Sequence, residues 1–151
     1  MGMEAVTMDL NVAGDSMSRI LVIDDDKFVR TSIRAVIEGA GHEVSDASDA
    51  ETGLSLQRAN PFDVAIVDLI MPNKEGLETI RELKRDFPDL CIIAISGGGD
   101  IVRKNFFQAA ELFGAKFTLE KPFDGGELLA TVDDALGHGA SDKSSVAAVN
   151  S

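Results

Sequence analysis

Apolar residues occur in two spacings along this chain. The unbroken runs Ile20-Leu21-Val22-Ile23, Val64-Ala65-Ile66-Val67 and Cys91-Ile92-Ile93-Ala94-Ile95 predict strands buried on both faces. Two shorter segments, Glu43–Asp46 and Lys116–Leu119, predict a second and a fifth strand. Between the strands the spacing lengthens to that of helices. Helix one is predicted over about Lys27–Ala40, capped by Asp26, with Phe28, Ile33, Val36 and Ile37 as its apolar stripe and Gly39 and Gly41 as stop signals. Ser48 and Glu51 have capping-box spacing and open helix two, and Pro61 closes that region. A Pro72-Asn73 turn precedes helix three, Lys74–Asp86, which stops before Pro88. Helix four is predicted over Ile101–Phe113 after Gly97-Gly98-Gly99, and helix five over Gly125–Leu136.

Five strand–helix units in succession predict an α/β fold with a parallel sheet and helices on both faces. Right-handed crossovers and burial of the apolar strands point to the flavodoxin-like, doubly wound order 2-1-3-4-5. The folded unit is expected over residues 19–137. Residues 1–18 and 138–151 are small and polar without sustained periodicity, and read as flexible tails.

Composition narrows the function. A chain of 151 residues that is 44% hydrophobic has enough apolar material for one full core. A formal net charge of -12 opposes nonspecific binding to nucleic acid or to an anionic membrane. The single cysteine, Cys91, excludes an internal disulfide and reads as a buried thiol in its apolar run. No stretch approaches the length of a membrane helix, and the N-terminus lacks the basic and apolar regions of a secretory signal, so a soluble cytoplasmic protein is expected.

The chemistry collects at the ends of the strands. Asp24-Asp25-Asp26 follow strand one, Asp68 ends strand three, Ser96 follows strand four and Lys121 follows strand five. In the order 2-1-3-4-5 the exits of strands one and three are neighbours, at the switch point where open sheets bind ligands. Asp24, Asp25 and Asp68 therefore converge. Clustered carboxylates repel unless a cation joins them, and Mg2+, a hard ion that takes oxygen ligands and keeps part of its water, suits the set. Ser96 adds a hydroxyl and Lys121 a point cation fit for a phosphoryl group or carboxylate. Each residue also has a plain structural use: Asp24–Asp26 as a solvated turn or helix cap, Asp68 and Ser96 as turn residues, Lys121 as a surface lysine. All of them at successive strand exits is a pattern that turn chemistry does not explain. The isomer of the Lys121–Pro122 peptide is open in the sequence.

Leu21-Val22-Ile23-Asp24-Asp25-Asp26, Val67 through Gly76, Ile95-Ser96-Gly97 and Lys121-Pro122-Phe123 resemble, in that order, the receiver domain of two-component response regulators, the chemotaxis-type fold, over about Arg19–Gly137. The resemblance implies a phosphorylation switch. Asp68 is the phosphoacceptor. Asp24 and Asp25, with Asp68 and the Ile70 backbone carbonyl, are the Mg2+ ligands. Lys121 pairs with the phosphoryl group, and Ser96 turns to bond it. Gly97 leaves the acyl phosphate open to its donor, and Asp26 caps helix one. The expected donor is a phosphohistidine on a sensor histidine kinase or histidine phosphotransfer protein. A downstream protein target is expected at the helix 4–strand 5–helix 5 face; core packing is the first reading for some of Phe106, Phe107 and Phe113, and an exposed one would suit a partner there. The chain is then not an enzyme in the usual sense, since it catalyses only its own phosphorylation and slow dephosphorylation.

Three features depart from the family pattern. The aromatic residue usual three positions before the conserved lysine is replaced by Thr118, with Phe117 beside it. The stretch from Ser96 to Gly114 is a few residues longer than usual, with the excess in the three glycines and helix four. Two positions after Asp68 stands Ile70, which cannot orient a water by hydrogen bonding, so slow autodephosphorylation is expected. The 14 residues from position 138 are too few and too polar for a DNA-binding output domain, which points to a single-domain regulator or phosphorelay intermediate. The alternative is a phosphorylation-independent interaction module on the same fold. A flavin or nucleotide binder is disfavoured, because the acidic triplet would repel a bare phosphate.

Overall fold

The computed structural model describes residues 17–71, 76–97 and 100–137, with the side chains of 100–103 outside that description. Five strands and five helices alternate: β1 (Arg19–Ile23), α1 (Lys27–Gly39), β2 (Glu43–Ala47), α2 (Ala50–Ala59), β3 (Val64–Asp68), α3 (Gly76–Asp86), β4 (Cys91–Ser96), α4 (Asp100–Phe113), β5 (Phe117–Glu120) and α5 (Gly125–Ala135). The strands form one parallel sheet in the order β2-β1-β3-β4-β5, the flavodoxin-like arrangement that the sequence predicts.

Period-two alternation sorts the strand side chains into two apolar layers. Leu21, Ile23, Ala65, Val67, Ile92 and Ala94 face Leu54, Ile80, Leu83 and Ala110 of α2, α3 and α4. Ile20, Val22, Val64, Ile66, Ile93, Ile95 and Leu119 face Ile33, Ile37, Leu128 and Val132 of α1 and α5. Each fully buried Ile or Leu here contributes about 1.5–3 kcal/mol by leaving water. The site-bearing end of the sheet is therefore anchored on both faces.

Several boundaries and roles differ from the sequence reading. β5 starts one residue later than predicted, because the ladder opens at the Ile93–Phe117 pair, while the Lys116 N–H bonds the Ile92 carbonyl just outside it. α2 is capped by Asp49 and not by Ser48: the Thr52 N–H donates to Asp49 Oδ1 at 2.7 Å. That bond holds the Asp49 carboxyl below its usual pKa, and a carboxylate complements the helix N-terminus better than a hydroxyl does. The reciprocal capping box occurs instead at α5, between Asp124 and Glu127. Phe28 does not join the α1 stripe and is 84% exposed. Val29, Ile33 and Ile37 form the inward line at i, i+4 and i+8, which leaves Phe28 about 140° round the helix from Ile33. Among the described side chains of α4 the exposed large apolar one is Leu112, whereas Phe106, Phe107 and Phe113 are half-buried against the α2–α4 layer. Cys91, at the first position of β4, is half-buried. The Pro72-Asn73 turn, the first two residues predicted for helix three, Gly98-Gly99 and the two predicted tails up to Ser16 and from His138 lie outside the described residues. No helix among the described residues is long and apolar enough to cross a membrane.

Candidate functional site

The β1–β3 pairing brings two chain reversals side by side. Ile23 pairs with Val67, so the residues that follow them, Asp24 and Asp68, leave the sheet next to each other. Both are buried, while Asp25, one residue further on, is exposed. One oxygen from each of Asp24, Asp25 and Asp68 lies within 4.8 Å of the others. Two oxygens bound to one Mg2+ stand about 3–4 Å apart, given metal–oxygen bonds of about 2.1 Å, so the three carboxylates would need only small side-chain adjustments to share that ion.

Asp24 is oriented from several directions. Its N–H donates to the Ala47 carbonyl of β2 at 3.1 Å. Its Oδ1 accepts the Asp26 N–H at 2.9 Å. Its Oδ2 is left facing the pocket, buried and with no hydrogen-bond partner among the described residues. Lys121 Nζ stands 3.1 Å from that oxygen as an ion pair, without the alignment of a hydrogen bond, and 3.7 Å from Asp68 Oδ1. A buried carboxylate oxygen with one imperfect partner is the polar atom that a bound cation would satisfy.

Lys121 reaches the carboxylates because the strand-five exit is held in place. The Lys121 N–H donates to the Ser96 carbonyl at 2.8 Å, and the Lys121–Pro122 peptide is cis. Ser96 is fully buried, and its Oγ donates to the Gly97 carbonyl at 3.1 Å, directed at its own loop. Ile70 sits just outside the pocket with its side chain 48% exposed, and its N–H donates to Asp68 Oδ1 at 3.4 Å. Gly76 closes the turn after Asp68: a Cβ there would collide with the Asp68 carbonyl oxygen, so α3 starts this near the strand exit only with glycine.

Electrostatics single out Asp68. Burial first, and then the neighbouring Asp24 charge, raise its carboxyl to about 7 against the opposing effects of Lys121 and the Ile70 N–H. A divalent cation in the pocket would reverse that balance and hold the carboxylate ionised.

The structure thus brings Asp24, Asp25, Asp68 and Lys121 into one pocket and sets Ser96 and Ile70 at its edge. Asp26 caps α1, accepting the Phe28 N–H at 2.8 Å. Thr118 pairs with Ala94 and lies between Phe117 and Leu119, both of which pack toward α1 and α5, so Thr118 faces the opposite side. Phe117 therefore does not occupy the place of the missing aromatic. Two further features were missed by the sequence reading. Arg30 of α1 reaches back to the Asp24 carbonyl, and an apolar hollow of about 440 Å3 runs beside Lys121, between Phe28, Val29 and Ile33 of α1 and Pro122 and Phe123. The signal for Arg30 was its place one turn into the helix that follows the acidic triplet.

A family model for the response regulator receiver domain matches residues 20–133. The chain belongs to the response regulator receiver domain family. This receiver domain is 37% identical over 121 residues to the DNA-binding transcriptional regulator NtrC of Azospirillum brasilense, covering 80% of this chain and 24% of that protein. It is 32% identical over 123 residues to Protein CcdB of Bacillus subtilis (strain 168), covering 81% of this chain and 100% of that one. The chain thus spans about a quarter of the first relative and the whole length of the second. Among solved structures, a CheY-like response regulator receiver domain protein from Methanospirillum hungatei JF-1 superposes with a TM-score of 0.72 at 28% identity, covering 84% of this chain and 99% of that one. Receiver domains act in two-component signalling, and that is the setting of this one.

Proposed function

We propose that this receiver domain takes a phosphoryl group from a phosphohistidine onto Asp68, and that the acyl phosphate switches a partner interaction or passes the group onward in a phosphorelay. The observation that carries the reading is the convergence of Asp24, Asp68 and Lys121 around a buried carboxylate oxygen that lacks a hydrogen bond. An Asp68 carboxylate oxygen attacks phosphorus, the P–N bond to the donor imidazole breaks, and the electron pair returns to that nitrogen, which takes up a proton. Asp24, Asp25 and Asp68, with the Ile70 carbonyl, would hold Mg2+, which when bound offsets the repulsion between carboxylates and phosphoryl oxygens. Lys121 would move its ion pair from the carboxylates to the transferred group. Ser96 would exchange its bond to the Gly97 carbonyl for one to a phosphoryl oxygen, drawing in the β4–α4 loop and biasing a two-state equilibrium that partners read.

The donor is a sensor histidine kinase or histidine phosphotransfer protein, seated with apolar contacts in the hollow at Phe28 and Pro122. The downstream protein reads the α4–β5–α5 face. We read the chain as a single-domain regulator acting in the cytoplasm, and not as an enzyme on an external substrate. Intact mass after incubation with Mg2+ and acetyl phosphate tests this. One added phosphoryl group, absent without Mg2+ and absent in Asp68→Asn, is the expected result. No addition from acetyl phosphate or from a panel of phosphorylated histidine kinases would instead support a phosphorylation-independent interaction module, a reading favoured by Thr118 standing where the family carries an aromatic.

A further inference from the structure

The orientation of Asp24 depends on a set of charged side chains outside the pocket. Arg30 Nη1 donates to the Asp24 backbone carbonyl at 2.8 Å, and its Nε donates to Asp46 Oδ2 at 3.1 Å. Asp46 lies on β2, where it pairs in register with Val22, two residues before Asp24. Its other oxygen accepts from Arg34 Nη1 at 3.0 Å, and Arg34 Nε donates to Glu38 at 2.9 Å. The Arg30 side chain is only 16% exposed. Its guanidinium fork is rigid and planar, so bonding Asp46 with one nitrogen fixes where the other points. Asp24 is consequently held at its N–H by Ala47, at its Oδ1 by the Asp26 N–H and at its carbonyl by Arg30. Only Oδ2 is left to face the pocket.

We infer that Arg30, oriented by Asp46, is a positioning residue for divalent-cation uptake: it fixes the Asp24 backbone so that Oδ2 is presented to the ion. This inference rests on the reading that the acidic pocket takes Mg2+. It has an opposite-signed rival. Arg30 is also a cation close to a cation site, and if its charge were what mattered, removing it would tighten Mg2+ binding. If positioning is what matters, removing it weakens binding, since orienting groups of this kind are worth about 10–100-fold in metal affinity.

The test is calorimetric titration of MgCl2 into the full metal-free chain, for the wild type and for Arg30→Gln, Arg30→Lys and Asp46→Asn, with each variant's melting temperature taken in EDTA. The expected result is about tenfold weaker Mg2+ binding in Arg30→Gln, and similarly weak binding in Arg30→Lys, which keeps the charge and loses the fork. Asp46→Asn leaves Arg30 in place but less firmly oriented, so a smaller loss of several-fold is expected. A purely structural role would lower the EDTA melting temperature and leave the Mg2+ affinity of the folded protein unchanged. That outcome overturns the inference, as does tighter binding in Arg30→Gln or full rescue by Arg30→Lys. Should Arg30→Gln fail to fold, Asp46→Asn decides, and wild-type affinity there overturns the inference. Absence of Mg2+ binding by the wild-type chain would overturn the metal reading itself, and with it this inference; that failure is distinct because it shows before any substitution.

Discussion

The two halves of the sheet's C-terminal rim are built differently. At the β1–β3 half, Asp24 is held at its N–H, its carbonyl and one carboxylate oxygen, and Asp68 is buried beside it. At the β4–β5 half, the Ser96 hydroxyl is bonded to its own loop, Thr118 carries no ring, and among the described side chains Lys121 is the one that reaches across to the carboxylates. The first half is arranged so that ligand atoms already point where a ligand would sit. The second half holds groups that must change partner before they can touch the same ligand. On the function proposed above this is a division of labour: one half would receive the phosphoryl group, and the other would register its arrival.

The comparison breaks most sharply under paired substitutions. Asp24→Asn removes a ligand charge from the fixed half, and Mg2+-dependent phosphorylation by acetyl phosphate should fall by about a hundredfold or more. Ser96→Ala acts on the other half and should slow phosphorylation by only a few-fold, in the range of one hydrogen bond, while abolishing the conformational response. Time courses by intact mass, paired with amide spectra of the phosphorylated forms, check both. Equal losses in the two variants would erase the division.

The fixed half also carries a pH signature. The Asp68 carboxyl is raised from 3.8 to about 7 in the metal-free fold, chiefly by burial and then by the Asp24 charge. Below about pH 3 the group is largely protonated whether the chain is folded or not. As pH rises, the unfolded chain releases its proton near 3.8 and the folded chain keeps it until about 7, so stability falls across that window and then levels off. After allowance for solvent screening, the fall should be about 2 kcal/mol. Urea melts in EDTA at pH 4, 5.5, 7 and 8 measure it. Asp68→Asn should lack the fall, and saturating Mg2+ should suppress it in the wild type.

How much of this could be read in advance follows the same division. Unbroken strands such as Val64–Val67 carry a strong signal, because burial on both faces leaves no polar position to confuse the period. Once the strand order was expected, adjacency of Asp24 and Asp68 followed from topology alone. Helix faces were harder. Phe28 was assigned inward because it is apolar, but the Val29–Ile33–Ile37 line takes the inward angle and leaves Phe28 outside. Ser48 has capping-box spacing, yet Asp49 takes the cap, accepting the Thr52 N–H with a carboxylate that complements the positive helix N-terminus. The Arg30–Asp46 pair had no signal in local spacing, since its 16-residue separation closes only when β2 pairs with β1.

The misassigned Phe28 supplies the next prediction. At 84% exposure, beside a hollow that reaches Lys121, it stands where a donor protein would approach and a small molecule would not need it. Phe28→Ala should slow transfer from a phosphorylated histidine kinase by about tenfold, the loss of one well-buried aromatic contact of roughly 1–2 kcal/mol. Its rate with acetyl phosphate should stay within twofold of wild type, and its melting temperature should not change. Equal loss with both donors would mean that Phe28 shapes the pocket itself, and the apolar hollow would drop out as a docking surface.

The smallest effect concerns the exit of the phosphoryl group. Ile70, two residues after Asp68 and 48% exposed, has an apolar side chain that offers no hydrogen bond to an attacking water. Ile70→Asn places a donor and an acceptor there without touching Asp68 or the metal carboxylates. Because Ile70 is exposed, the change should leave stability within about 0.5 kcal/mol. The decay of phospho-Asp68, followed by mass after donor removal, should quicken by several-fold, as one added hydrogen bond to the attacking water allows. If decay is unchanged, water is being held off elsewhere. Lys121, whose ion pairs span both halves of the rim, is then the group to test. Lifetime would then belong to the bridge between the halves rather than to the residue at their edge.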